Sequence, residues 1–593
     1  MDERVWLRKK HDFLNETIFL IKSLILIILR SFKNRFLFKQ EKFCSGVQLK
    51  SAPVIGLSET ILWTADDNEQ NWILTAGKVQ NLRTATQQIN GIEIHSGKIF
   101  SFWKHIGNPH SRRGYVTGRE IREGCIVPTT AGGLCQLSNA LYDAALKAGF
   151  EIIERHRHTK VIKGSLAEID RDATVKWNYI DLRFRSNHSF RIEAELTTDK
   201  LIVQFKSLLH SNSANNIFVD SLMPLAKLND CYSCGNVGCF KYPGKALKKN
   251  TPQNITTFLL DEKWSEYETY IKKTATATDH FIIPTAPGSY IKLKRYQWPV
   301  QYSQQVTAVP WSALYRSFSL RILSRLKNNV FSLTLRLDEK LAQAMVRHIP
   351  VESTHLVISQ NLLPFIWNCG ALGGRTFDVL MTRLPMEKIH QRLDMAYQKY
   401  PDSQTLSDFR APEVLMAAEN AALTKARYII TPHQEVAAIF NNKSILLDWI
   451  LPPPLATRKT SGNTILFPAS SLGRKGAYEV RKLARELNLC VKITGSASED
   501  AAFWGDIPVE KTGQDPFEGI QLVIYPAWVE HQPRILLRAL ATGLPVIATT
   551  ACGLAPADNL IIVSTGNYDA LKQAVISTLH QSNIERTTVV LSP

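Results

Sequence analysis

Residues 520–550 read IQLVIYPAWVEHQPRILLRALATGLPVIATT. An unbroken apolar run, an amphipathic run opened by a proline and closed by Gly543, and a second apolar run follow one another. Short apolar runs without alternation are strands covered on both faces. Pro at the start and Gly past the end punctuate a helix. Strand, helix and strand in that order predict a parallel sheet flanked by helices. Working outward, NTILFPAS (463–470), GAYEVRKLAREL (476–487) and CVKITGS (490–496) repeat the alternation. It holds from about Ile255 to the C-terminus, with DWILPPPLATRKTSGN (448–463) as a link between two lobes.

Upstream the pattern changes. AGKVQNLRTATQQIN (76–90) and LCQLSNALYDAALKAGF (134–150) read as helices; IFSFWKHIG (99–107), LRFRS (182–186) and LIVQFKS (201–207) read as strands. That mixture is α+β. The predicted organisation is a basic amphipathic segment (1–45), an α+β domain (46–210), a cysteine-rich connector (211–254), a first α/β lobe on the acceptor side (255–447) and a second on the donor side (448–593).

At 593 residues the chain exceeds one ordinary core. Lys and Arg number 71 against 53 Asp and Glu, a net charge of +18, which favours anionic partners. No motif of a nucleic-acid module accompanies that charge, so nucleic acid is not an expected partner. Nine cysteines are too sparse for a disulfide scaffold and suit a reducing compartment. Near the N-terminus, Ile18–Leu29 is apolar apart from Lys22 and Ser23, with Arg4, Arg8, Lys9 and Lys10 before it and Arg30, Lys33, Arg35, Lys39 and Lys42 after it. The run is shorter than the ~20 residues of a spanning helix. With no small-residue cleavage site behind it, it reads as a helix lying on an anionic membrane surface, and the protein as cytoplasmic and peripheral on the inner face of the membrane. A core helix with a basic face is the alternative.

Cys231, Cys234 and Cys239 have C-x2-C-x4-C spacing beside Gly235 and Gly238. Two thiolates two residues apart clasp a soft metal, so zinc or an iron–sulfur cluster is expected, with Cys369, Cys44 or His210 as fourth ligand. Three free thiols are the alternative.

Cys135 sits between Gly132–Gly133 and a helix. A helix N-terminus favours a thiolate, and a small residue before it lets a backbone approach closely. A packed turn under a helix explains the same residues, and both readings stay open.

The stretch YPAWVEHQPRILLRALATGLPVIATTACG (525–553) resembles the donor-site signature of the two-lobed (GT-B) retaining glycosyltransferases of family 4. Glu530 matches its first acidic position, which implies a catalytic contact with the donor sugar, and Ala541, Gly543, Pro545 and Val546 match its turn. Arg538 stands where that family has a glutamate, which puts ribose binding in doubt because arginine only donates. LGRKGAYEV (472–480) resembles the family's phosphate-binding turn, with Arg474 and Lys475 before Gly476. The resemblance implies a nucleotide-sugar donor, a glycan or lipid-linked acceptor of the cell envelope, and retention at the anomeric carbon. GALGGR, ending at Arg375, and His433 are weaker candidates; an ordinary turn and an ordinary loop histidine explain them.

KIFSFWKHIGNPHSRRGYVTGREI (98–121), GGLCQLSNALYDAAL (132–146), ERHRHT (154–159), RDATV (171–175) and DLRFRS (181–186) resemble the VanW family. By that match Cys135 is a nucleophile, with His158 and Asp172 as base and orienting acid. The expected fold is an α+β VanW-like domain followed by an α/β, Rossmann-like, two-lobed region. The expected function is glycosyl transfer. The alternatives are cysteine-dependent acyl transfer on peptidoglycan peptide stems with a non-catalytic sugar-binding lobe, and a scaffold with neither activity.

Overall fold

The computed structural model describes residues 13–36, 41–63, 69–122, 125–158, 166–208, 229–230, 255–287, 293–300, 305–323, 330–453 and 464–590. Two compact units divide the chain. The first runs to Ile255 and includes Pro350–His355 and Gly370–Thr376; the second holds Thr256–Ile349, Leu356–Cys369 and the chain from Phe377.

In the first unit an antiparallel sheet of four described strands runs in the order Val54–Ile61, Lys200–Lys206, Phe190–Leu196, Glu93–Ile94. The alternating burial of Lys200–Lys206 turns Leu201, Val203 and Phe205 inward. The helices Glu69–Ile89 and Cys135–Lys147 cover this sheet. Phe205 stacks on Phe150 at 5.2 Å inside the resulting core. Two three-stranded sheets flank it, one pairing Thr117–Arg122 with Cys125–Thr130 and one pairing Ile99–Ser101 and Glu151–Glu154 with Arg183–Arg185.

One expectation needs correction here. IFSFWKHIG is not one strand: only Ile99–Ser101 pairs, and Phe102–Ile106 is a helical turn. Ser101 caps that turn by accepting from the Lys104 N–H, and Asp181 accepts from Trp103 N–H and Ser101 Oγ. A side-chain cap outweighs the β preference of Phe and Trp over so short a stretch.

The second unit holds two sheets. Seven described strands lie in the order Gln305–Ala308, His280–Ile283, Ile255–Leu259, Ser353–Ser359, Thr376–Leu380, Ile429–Thr431, Ser444–Leu446. Six more lie in the order Val509–Lys511, Cys490–Ile493, Thr464–Phe467, Leu522–Tyr525, Val546–Thr549, Leu560–Val563, all parallel. All four residues of Leu522–Tyr525 and of Val546–Thr549 are buried, as strands covered on both faces must be. The strand–helix–strand reading of 520–550 therefore holds, with Arg534–Ala541 as the helix. The N-terminal Phe13–Phe36 is a helix, and among the described residues no helix is long and apolar enough to cross a membrane.

Candidate functional sites

In the first unit the turn before Cys135 is forced by contact. A Cβ on Gly132 would lie 2.6 Å from the backbone of Gly118, and Gly133 has φ +99°. The turn delivers Cys135 to the first position of the Cys135–Lys147 helix, half-buried. That helix also fixes the opposing loop. Asn139 Oδ1 accepts from the Ala173 N–H at 2.7 Å, and Ser138 Oγ donates to the Ala173 carbonyl at 2.5 Å. Asp172 is thereby buried next to the helix start. Its carboxylate accepts from both His158 N–H and His158 Nδ1, each at 2.5 Å. Arg155 Nε holds the Asp172 carbonyl at 2.6 Å, and Thr174 N–H bonds the His156 carbonyl at 2.9 Å.

The Cys135 thiol acts electrostatically on His158, and its sulfur lies 3.8 Å from the Val175 carbonyl. Burial disfavours the charge on His158, but the interactions with Asp172 and Cys135 prevail and raise its pKa to about 10. The Cys135 sulfur also lies 3.6 Å from Thr174 Oγ1. Asp172 and His158 are thus paired, on a loop that Ser138 and Asn139 tie to the helix that Cys135 begins, 37 residues before Asp172. Sequence reading missed Asn139, Ser138 and Thr174; Asn and Ser on the first turns of the Cys135 helix were the available signal.

In the second unit Glu530 lies in the loop between Leu522–Tyr525 and Arg534–Ala541, buried. Its carboxylate accepts from Lys475 Nζ at 2.7 Å, from Tyr525 OH, and from the N–H groups of His531 and Gln532 at 2.8 Å. Burial works against its charge, but Lys475 and His531 hold its pKa well below the carboxylate range. Gly476, at φ +85°, lets the Lys475 turn press on the next strand's loop, where a Cβ would sit 2.3 Å from Pro526 O.

Most other charged residues of this region are committed to partners within the protein. The Arg474 guanidinium lies 4.2 Å above the Phe409 ring, and burial lowers its pKa. Arg538 is exposed and stacks over Phe517 at 5.5 Å; Gly543 closes its helix at φ +77°. Arg534, which sequence reading passed over, forms a two-pronged ion pair with Glu266 at 2.6 and 2.7 Å, and Glu266 is fully buried. Glu499, also missed, accepts from Gly473 N–H at 2.6 Å, from Ser403 Oγ at 2.8 Å, from Gln404 N–H at 3.0 Å and from Thr405 Oγ1. These two acids join the first-lobe segments around 266 and 403–405 to the second lobe.

Of the weaker candidates, Arg375 is buried and donates to the carbonyls of Ser353, Ala371 and Pro350, which makes it a staple of its turn. His433 is fully buried and caps the Gln434–Ile439 helix, and burial pushes its pKa down to about 4. Cys231, Cys234, Cys239 and His210 lie outside the described residues, and among those described no group of three or more His, Cys, Asp or Glu is placed to hold a metal.

Residues 77–206 match the family described as VanW like protein. The VanW-like region contains Cys135, His158 and Asp172. The chain is 31% identical over 143 residues to the vancomycin B-type resistance protein VanW of Enterococcus faecalis (strain ATCC 700802 / V583), covering 22% of this chain and 50% of that protein. It is 29% identical over 109 residues to the uncharacterized protein YoaR of Bacillus subtilis (strain 168), covering 18% and 35%. It thus spans half or less of the length of these curated relatives. Solved structures similar to the chain beyond the VanW-like region include a sucrose-phosphate synthase from Thermosynechococcus elongatus (TM-score 0.33, 14% identity, 56% of this chain and 91% of that one). Another is the lipopolysaccharide outer core galactosyltransferase WaaB in its apo form (TM-score 0.30, 11% identity, 55% and 91%). Overlays this loose carry no functional weight; the reading of the second unit rests on its own strands and side chains.

Proposed function

We propose that the second unit binds a nucleotide sugar and transfers its sugar, with retention, to a glycan or lipid-linked acceptor of the cell envelope. The observation that carries this is the Lys475–Glu530 pair at the carboxyl edge of the six-stranded parallel sheet, beside the start of the Arg534–Ala541 helix. Ligands of open parallel sheets bind at that edge, and a helix N-terminus favours a diphosphate. With its oxygens held by four protein donors, Glu530 positions Lys475, and the ammonium offsets charge on the leaving diphosphate. Arg474 and Gly476 shape the turn, and Arg538 and Gly543 end the helix behind it. Thermal unfolding of the full chain with uridine and guanosine diphosphate sugars tests the reading, since a ligand of the folded state alone raises stability. A rise that is lost in Lys475→Met supports it; no rise with any donor ends it.

A second reading concerns the first unit and is supported by the Asp172–His158 pair and its electrostatic coupling to the Cys135 thiol. The Cys135 thiolate attacks an amide carbonyl carbon, the C–N bond breaks as His158 protonates the leaving amine, and an acceptor amine or water then cleaves the Cys135 thioester, giving its proton to His158 and freeing the thiolate, while Asp172 holds the ring. Iodoacetamide should label folded Cys135, and His158→Gln should shift the pH midpoint of labelling. A thiol that labels only on unfolding would make Cys135 a packing residue.

The same proposal places the protein on an anionic membrane surface through residues 1–45, facing the cytoplasm. Ile21, Leu24, Ile25, Ile28, Leu29 and Phe32 are exposed on the Phe13–Phe36 helix. Its polar side is held by Arg30 to Glu154 and Ser31 to Asn178.

A further inference from the structure

We propose that the helix Pro310–Leu323 is a second, independent membrane-docking surface, with anionic lipid as its occupant. An ordinary surface helix turns its apolar stripe to the core. Here the stripe faces out. Trp311 is 80% exposed, Phe318 66%, Tyr315 50% and Ile322 42%, at spacings of four, three and four residues that keep them on one face. The inward face carries polar groups beside the small Ala313: Arg316 is 2% exposed and Ser319 5%.

The polar network explains why this orientation is fixed. Arg316 bonds Asp338 on the neighbouring helix Val330–Val346 at 2.7–2.8 Å, Glu262 at 3.2 Å, and the Tyr296 hydroxyl. Rotating the helix to bury the aromatic stripe would leave Arg316 and Asp338 unpaired, at a cost a buried charge does not bear. The aromatic face is therefore held outward by the chemistry of its other side.

The composition of the face selects the occupant. Trp and Tyr favour the boundary between acyl chains and headgroups, where an apolar ring body and a polar tip are both satisfied. The surrounding charge matches anionic headgroups. Among the described residues of the two helices, Arg321, Arg336 and Lys340 are exposed, against one exposed acid, Glu339. Lys340 lies 4.6 Å from the Tyr315 ring, so a cation sits against the apolar stripe itself. This combination is the pattern of interfacial helices on acidic bilayers.

The test uses the full chain with phosphatidylglycerol-containing vesicles, and phosphatidylcholine vesicles as control. Hydrogen exchange by mass spectrometry reads residues 310–323 separately from residues 13–36, so the two contacts are distinguishable. Exchange in 310–323 should slow on anionic vesicles and not on neutral ones. Trp311→Ser with Phe318→Ser should lower vesicle partitioning by roughly tenfold or more and abolish protection in 310–323 while leaving that in 13–36. Both side chains are exposed, and an unchanged melting temperature of the variant verifies its fold. Unaltered partitioning, or unchanged exchange in 310–323, overturns the proposal. Protection that grows with protein concentration in the absence of lipid overturns it too, in favour of a second copy of the chain.

Discussion

Asp172→Asn isolates the coupling between His158 and its carboxylate. In the wild type the folded-state pKa of His158 is raised from 6.5 to about 10 by Asp172 and Cys135 working against burial. At ~1.4 kcal/mol per pH unit the rise is equivalent to about 5 kcal/mol as a ceiling. The His158 side chain is 27% exposed and one partner is Cys135, so solvent screening and the Cys135 share reduce the Asp172 part to about 2 kcal/mol. The sign follows from linkage: a raised pKa stabilises the fold fully below about 6.5, and that contribution disappears as pH rises through about 10. Selectively 15N-labelled histidine gives the midpoint of His158 directly, and pulse proteolysis read by mass spectrometry follows unfolding of the first unit alone. The wild type should lose stability between pH 6.5 and 10. Asp172→Asn should bring the His158 midpoint down by more than one unit and flatten that slope, and Cys135→Ser should flatten it by a smaller amount. A midpoint near 6.5 in the wild type, or equal slopes in wild type and Asp172→Asn, would refute the coupling.

Three further outcomes are expected. Glu266→Ala leaves Arg534 without its ion pair and should cost about 2–3 kcal/mol in guanidinium unfolding of the second unit, below the usual range for buried pairs because Arg534 is a third exposed; an unchanged midpoint would show that the rings of Trp264 and Trp449, 5.2 and 5.6 Å from the guanidinium, hold it alone. Gly476→Ala meets both a positive φ and the Pro526 carbonyl, so calorimetry should show a loss of at least about 2 kcal/mol together with any nucleotide-sugar binding. Full chain purified without added metal should carry near-stoichiometric zinc or iron bound by Cys231, Cys234 and Cys239, and metal-free protein of full stability would dispose of that expectation.

The parallel sheets were legible because strands buried on both faces leave unbroken apolar runs: ILF at 465–467 and LVIY at 522–525 need no knowledge of their neighbours. The helix 102–106 was not, since its cap depends on Asp181, 80 residues away from Ser101. Cys135, His158 and Asp172 were named from short motifs, but their meeting is the work of Asn139 and Ser138 on Ala173, contacts no local pattern announces. The outward face of Pro310–Leu323 was illegible for the opposite reason. An apolar stripe at helical spacing looks like core, and only the burial of Arg316 shows which side faces in.

Glu499 has a consequence for any donor that approaches the Lys475 turn. The Gly473 N–H, the first free donor such a turn offers an anion, is already taken by the chain's own carboxylate. A diphosphate using it must compete with an anion present at very high effective concentration, tethered on the same molecule and held by Ser403, Gln404 and Thr405. Apparent affinity is the intrinsic affinity multiplied by the fraction of molecules in which Glu499 has let go. With a latch worth about 2 kcal/mol, that fraction is roughly one in thirty, and nucleotide would bind about thirtyfold more weakly than the bare turn allows. Acid then acts on this turn as an opener: these donors hold the Glu499 pKa below the usual carboxylate value against burial, and neutralising it frees the loop.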